Sequence, residues 1–266
     1  MSLRLYAIAY LIFLYAPILL LPVFAFNDGT VIAFPLDGFT TAWFARLTEN
    51  AELHSALVNS LLVAGASSVL SVLLGLMAAR AGTRYRWPGK TGMLGLIMLP
   101  LVLPEIIVAV SLLIVAVQLF DLSLSLWLLI AAHVLMCTPF SVAILNASFA
   151  ALDPAIEEAA IDLGETRAST FRLVTLPLVM PGIVAALLIS FTISLDEFII
   201  AFFLTGSETT LPVYIWSLLR FPRELPVIMA LGTILVIVSI AILSLAEWNR
   251  RRGLARAGAT DTGGFL

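Results

Sequence analysis

Asp153-Pro154-Ala155-Ile156-Glu157-Glu158-Ala159-Ala160-Ile161-Asp162-Leu163-Gly164, followed after eleven residues by Leu176-Pro177, lies in a polar island between two long apolar runs. Asp153 is a good N-cap, Pro154 suits the first helical turn, and Gly164 can end a helix in the left-handed conformation. The signals predict a short helix of about ten residues. On a helical wheel Ile156, Ala159, Ala160 and Leu163 fall within about 100° and are expected to pack back on the membrane-domain underside. Ile161, between Glu157 and Glu158, is left as a knob for a partner's groove. Glu158 and Asp162, one turn apart, offer acidic contacts for a basic rim; the alternative is that the carboxylates only solvate the helix and favour its N-terminal end electrostatically. Thr166 to Val174 reads as a second short helix, with Pro177 and Pro181 setting the angle of the next apolar run as a rigid elbow. The island is too short for a domain, so its expected task is to receive displacement from another protein.

Outward from the island the chain is apolar: 61% hydrophobic and 12% charged residues, with a mean hydropathy of +1.09. Soluble domains are about half apolar and a quarter charged, so a water-soluble globule is excluded. Six runs are long enough to cross a hydrocarbon core: Leu5 to Phe26, Ala56 to Ala79, Thr91 to Leu119, Leu122 to Ala147, Leu178 to Leu204 and Leu225 to Ala246. They must be helices, because open strands leave backbone groups unpaired in lipid. The first run exceeds a cleavable signal's apolar core and is expected to be retained. The expected fold is therefore all-α and polytopic. Its parts are a first helix and outer loop over 1–55, a transmembrane core over 56–248 and a basic tail over 249–266.

Six crossings place both termini on one side. Arg4, Arg80, Arg84, Arg86, Lys90, Arg167, Arg172, Arg250, Arg251, Arg252 and Arg256 share that side, eleven of 14 basic residues, against Arg46, Arg220 and Arg223 on the other. Basic residues collect on the cytoplasmic side, so the termini and the island are expected there.

The island pattern, Glu158-Ala159-Ala160, three residues, Gly164, nine residues, then Val174, Thr175 and Leu176-Pro177, resembles the cytoplasmic EAA loop of ATP-binding-cassette importer permeases, with Val174 where that pattern has Ile. Further stretches resemble the spermidine/putrescine-type permeases: Phe39 through Trp43 to Asn59-Ser60, Leu99-Pro100-Leu101-Val102-Leu103-Pro104-Glu105, Ser194-Leu195-Asp196-Glu197-Phe198, Thr205-Gly206 and Leu211-Pro212. The resemblance implies an inner-membrane permease working with a second permease, two ATP-binding subunits that hold ATP and Mg, and an extracytoplasmic substrate-binding protein. It assigns coupling to Asp153, Glu157, Glu158, Ala159, Ala160, Ile161, Gly164, Leu176 and Pro177. The implied cargo is a polyamine, with aminoethylphosphonate, opines or ferric iron as alternatives in the same class.

Ionisable groups within apolar runs are costly and ask for a function. Glu105 follows Pro104, whose kink frees backbone groups. Asp196 and Glu197 are neighbours in the fifth run and point about 100° apart on a helix, so at most one lines a given path. These three carboxylates are the candidate substrate path and suggest a cation; the alternative is that they are structural or pair with a second permease subunit. His133, without a second histidine or a carboxylate cluster, reads as a hydrogen-bonded packing residue. The lone Cys137 reads as a buried thiol. Ser67, Ser71, Gly75 and Ala79 recur every four residues and form a smooth face for close helix packing. Trp43 and Trp87 fall near run ends, where indoles anchor at the bilayer boundary. The sequence holds no phosphate-binding Gly-rich Lys-Ser/Thr motif, nucleophile elbow, zinc spacing or dinucleotide fingerprint. A transporter subunit without bound cofactor or nucleic-acid partner is expected, driven by a separate ATPase; a helical membrane subunit of an enzyme complex is the alternative from another class.

Overall fold

The computed structural model describes residues 2–256. Residues 257–266, most of the expected basic tail, lie outside them, as do the side chains of Arg250, Arg251, Arg252 and Arg256. Twelve α-helices follow one another: α1 Ser2–Ala25, α2 Ala42–Glu49, α3 Ala51–Arg84, α4 Lys90–Met98, α5 Glu105–Ile114, α6 Leu126–Ala151, α7 Pro154–Asp162, α8 Arg167–Thr170, α9 Leu176–Asp196, α10 Ile199–Leu204, α11 Leu211–Leu218 and α12 Leu225–Arg256. Among the described residues the only β-pairing is an isolated bridge between Asn27 and Phe39. Among the described residues five helices are long and apolar enough to cross a membrane, or up to six spans when the bent pair Lys90–Leu101 and Glu105–Leu119 counts as one.

Two of the six runs are broken, the third where a kink is expected at Pro104 and the fifth where a continuous helix is expected. The third bends by 102° between its halves. Pro104, with no N–H to give and an extended ψ of 130°, takes the backbone out of the helix before Glu105 restarts it. The fifth breaks at Glu197, whose ψ of 114° is extended. Here no proline intervenes, and the Glu197 carboxylate replaces the lost helical bonding by accepting the Ile200 N–H at 2.9 Å, which caps α10. Broken helices at membrane depth are stable only where protein or a water-filled cavity satisfies the freed groups.

The chain divides into two compact units, Met1–Ala51 with Ile215–Leu266, and Glu52–Tyr214. In the first, α12 packs on α1 and α2. Trp43 is 8% exposed and its indole N–H donates to the Asn27 carbonyl at 2.8 Å, so this indole is an internal strut of the loop and not the boundary anchor expected from its position. The Asn27 side chain in turn accepts the Asp37 N–H at 2.9 Å.

In the second unit α6 and α9 form the most extensive helix pair. The small-residue face of α3 is buried as expected at Ser67, Ser71, Gly75 and Ala79. A Cβ placed on Gly75 would stand 2.7 Å from Ser141 Cβ and 3.0 Å from its backbone carbon, so only glycine permits this approach of α3 to α6. Buried polar groups join the helices. Ser141 and Ser190 hydroxyls lie 2.9 Å apart, His133 Nδ1 and Ser194 Oγ 2.7 Å apart, and Cys137 is buried facing the Ser190 carbonyl. Asn59 donates to the Thr209 carbonyl at 3.0 Å and Ser60 accepts the Leu211 N–H at 2.8 Å, fixing α3 to the start of α11 and the segment that leads into it.

Candidate functional site

The polar island forms the expected helix. Asp153 accepts the Ala155 N–H at 2.9 Å, Pro154 occupies the first turn, and Gly164 ends the helix with φ +96°. The packing of α7 differs from the wheel reading. Ile156, Ala159 and Leu163 are exposed, Leu163 to 88%, and Ile161 is exposed with them. Only Glu157 and Ala160 turn inward, both half-buried. The apolar side of α7 is thus an unpartnered face, and a carboxylate makes the attachment.

Glu157 is that attachment. Its Oε2 accepts from Arg84 Nε at 2.7 Å and its Oε1 from the Thr175 hydroxyl at 2.5 Å. Arg84 also donates through Nη2 to the Leu152 carbonyl at 3.0 Å, capping the end of α6. One carboxylate therefore ties together α7, the last turn of α3, the end of α6 and the entry to α9. Bonds to ionised groups are stronger than neutral ones, and Arg's planar fork holds two acceptors in fixed directions. Arg84 was visible in the sequence only as one of the basic residues. Its pairing, 73 positions away, has no local signal.

The expected elbow at Pro177 and Pro181 is replaced by a continuous helix from Arg167 to Asp196. Thr166 caps it through the Ser169 N–H, and Phe171–Thr175 form a π-turn in which the Leu176 N–H reaches back to the Phe171 carbonyl. The wider turn accommodates Pro177, at the start of α9, without breaking the helix. Through the Thr175 hydroxyl, α7 is thereby bonded to one continuous helix that includes α9.

At the other site α5 and α10, the two half-helices, pack on each other. Each begins with a glutamate, Glu105 at the first turn of α5 and Glu197 capping α10. Glu105 and Glu197 line one cavity of 200 Å³ together with Pro100, Met136, Phe140 and Ile193. Asp196 is exposed and does not line it. Of the adjacent pair, Glu197 is the residue that faces the cavity. Among the described residues no group of His, Cys, Asp and Glu is arranged to hold a metal ion.

Among the described residues, long apolar helical spans, two of them broken about a shared acidic cavity, with a capped surface helix tied to α3, α6 and α9, define a polytopic membrane protein. Residues 71–252 match the family described as "Binding-protein-dependent transport system inner membrane component", and the chain belongs to it. The chain is 35% identical over 246 residues to the putrescine transport system permease protein PotI of Escherichia coli, covering 89% of this chain and 85% of the relative. It is 34% identical over 236 residues to the spermidine/putrescine transport system permease protein PotC of the same organism, covering 88% of each. A bacterial ABC transporter involved in the import of the acidic polysaccharide alginate is alike in fold, with a TM-score of 0.72 at 15% identity, covering 92% of this chain and 97% of that one. The chain is accordingly an inner-membrane permease of a binding-protein-dependent transport system.

Proposed function

We propose that this permease carries a small organic cation of the polyamine class, putrescine or spermidine, through a path lined by Glu105 and Glu197. The observation that carries the reading is that both carboxylates of the broken spans open on one 200 Å³ cavity, where each of two amines of a diamine can meet an acceptor. The relatives named for putrescine and spermidine support the same cargo.

In this reading the termini and α7 face the cytoplasm, in keeping with the distribution of Lys and Arg. Two ATP-binding subunits, holding ATP and Mg, grip the exposed face of α7 at Ile156, Glu158, Ile161 and Leu163. Their closure moves α7, and Glu157 passes the displacement to α3 through Arg84 and to α9 through Thr175. At the far end of α9 the break at Glu197 shifts relative to Glu105. A second permease completes the path, and an extracytoplasmic binding protein delivers the cargo.

Reconstitution of the assembled transporter with its binding protein tests this. ATP-dependent uptake of labelled putrescine or spermidine is the expected result. Uptake of an anion instead, with no response of the ATPase to polyamine-loaded binding protein, would overturn the substrate assignment and leave the coupling assignment standing.

A further inference from the structure

We infer that the end of α3 and the start of α8 form a binding site for the phosphate of an anionic membrane lipid, held between Arg80 and Arg167. A groove of 380 Å³ is lined by Met77, Arg80, Ala81, Tyr85, Arg167 and Ala168, with no acidic residue among them and none from α7. Neither Arg80 nor Arg167 has a carboxylate within ion-pair distance among the described residues, where the ion pair is that of Arg84 with Glu157. Arg80 instead lies over the Phe171 ring at 4.0 Å, which holds the guanidinium in place and leaves its donors available.

A second observation points to a polar ligand. The adjoining cleft of 360 Å³ shares Arg80, Tyr85 and Arg167 with the groove and reaches Thr170. Thr170 is 3% exposed, and its hydroxyl has no hydrogen-bond partner. The same cleft contains Glu157, which Arg84 occupies, and Glu158. A buried hydroxyl without a partner is costly, and Thr170 stands in the cleft that both arginines also line.

A lipid is favoured over free phosphate by what lies beneath the groove. Arg80 is the first charge after the apolar stretch of α3, which places it at headgroup depth. Directly below it Leu70, Leu73, Leu74 and Met77 form an exposed stripe at spacings of three and four residues. The stripe suits an acyl chain, and basic pockets at the membrane surface attract anionic headgroups.

The assembled transporter, delipidated and placed in nanodiscs of phosphatidylcholine with a minor fraction of phosphatidylglycerol, tests the site by mass spectrometry of the lipid retained on repurification. The wild type is expected to retain phosphatidylglycerol preferentially. Arg167→Gln lowers its apparent affinity roughly fivefold, and the Arg80→Gln, Arg167→Gln pair lowers it further, on the order of 25-fold. Arg223→Gln, on a different part of the chain, leaves it unchanged. Arg167 is exposed at a helix start, so the single variant remains informative if the pair fails to fold. Equal retention of phosphatidylglycerol by wild type and Arg167→Gln, displacement of it by inorganic phosphate, or a cross-link from Tyr85 to the second permease would each overturn the proposal.

Discussion

Glu157 on α7 binds Arg84 at the end of α3, Oε2 to Nε 2.7 Å, across 73 positions of sequence. The pair makes a surface helix of nine residues part of the transmembrane core, although its apolar side chains contribute almost no burial. An isolated helix of that length does not persist in water. Its order rests on the Asp153 cap, on Gly164 and on this ion pair.

Removal of the pair is expected to loosen α7 without unfolding the bundle. Glu157→Gln or Arg84→Gln should lower stability by roughly 1.5–3 kcal/mol, the contribution of hydrogen bonds to charged groups. Thr175→Val should fall at the low end of that range, about 1.5 kcal/mol, because one bond to the same carboxylate is lost while the ion pair remains. Thermal melting of the purified complex measures this, and a double-mutant cycle should give a coupling between positions 84 and 157 and none between 84 and the exposed Glu158.

Gly164 is constrained by backbone and not by space. Nothing lies within 4 Å of a Cβ placed there, yet φ is +96°. Gly164→Asn should therefore approach wild-type coupling, whereas Gly164→Val should strain the turn by roughly 1–3 kcal/mol and lower transport per ATP hydrolysed. Membrane insertion, read by fractionation, should be equal for both. Equal coupling in the two variants would remove the geometric role.

Two glycines of α3 make opposite forecasts. Gly75→Ala sets a Cβ 2.7 Å from that of Ser141 and should destabilise the protein by about 1–3 kcal/mol through overpacking. Gly65→Ala meets nothing within 4 Å and should be neutral or stabilising by about 0.5–1 kcal/mol. Melting temperatures of the two variants in one detergent decide the comparison.

The acidic cavity predicts an order among carboxylates. Glu105→Gln and Glu197→Gln should each reduce initial uptake of putrescine roughly ten- to hundredfold, the loss of one charge-assisted bond. Asp196→Asn, outside the cavity, should have a much smaller effect. If Asp196→Asn proves the most damaging of the three, the assignment of Glu197 to the path is wrong.

Much of the architecture was legible because its signals are local. Apolar runs of about 20 residues located the spans, and the four-residue recurrence of Ser67, Ser71, Gly75 and Ala79 identified the packing face. Asp153, Pro154 and Gly164 bounded α7 to within a residue or two. The wheel of α7 misled because it assumes that apolar side chains bury themselves. On this helix Glu157 is the inward residue, while Ile156 and Leu163 remain exposed.

Sequence by itself determined what each residue's own neighbours dictate: which segments are helical, where caps and breaks fall at Asp153, Pro104 and Gly164, and that the chain lives in lipid. Only the tertiary structure decided what depends on groups far apart in the chain. Glu157 meets Arg84 and Thr175, Glu197 joins Glu105 at one cavity, and Asp196 is left outside it. The physical reason is that capping and hydrophobicity act over a few residues, whereas charge pairing and cavity lining depend on how separate helices cross.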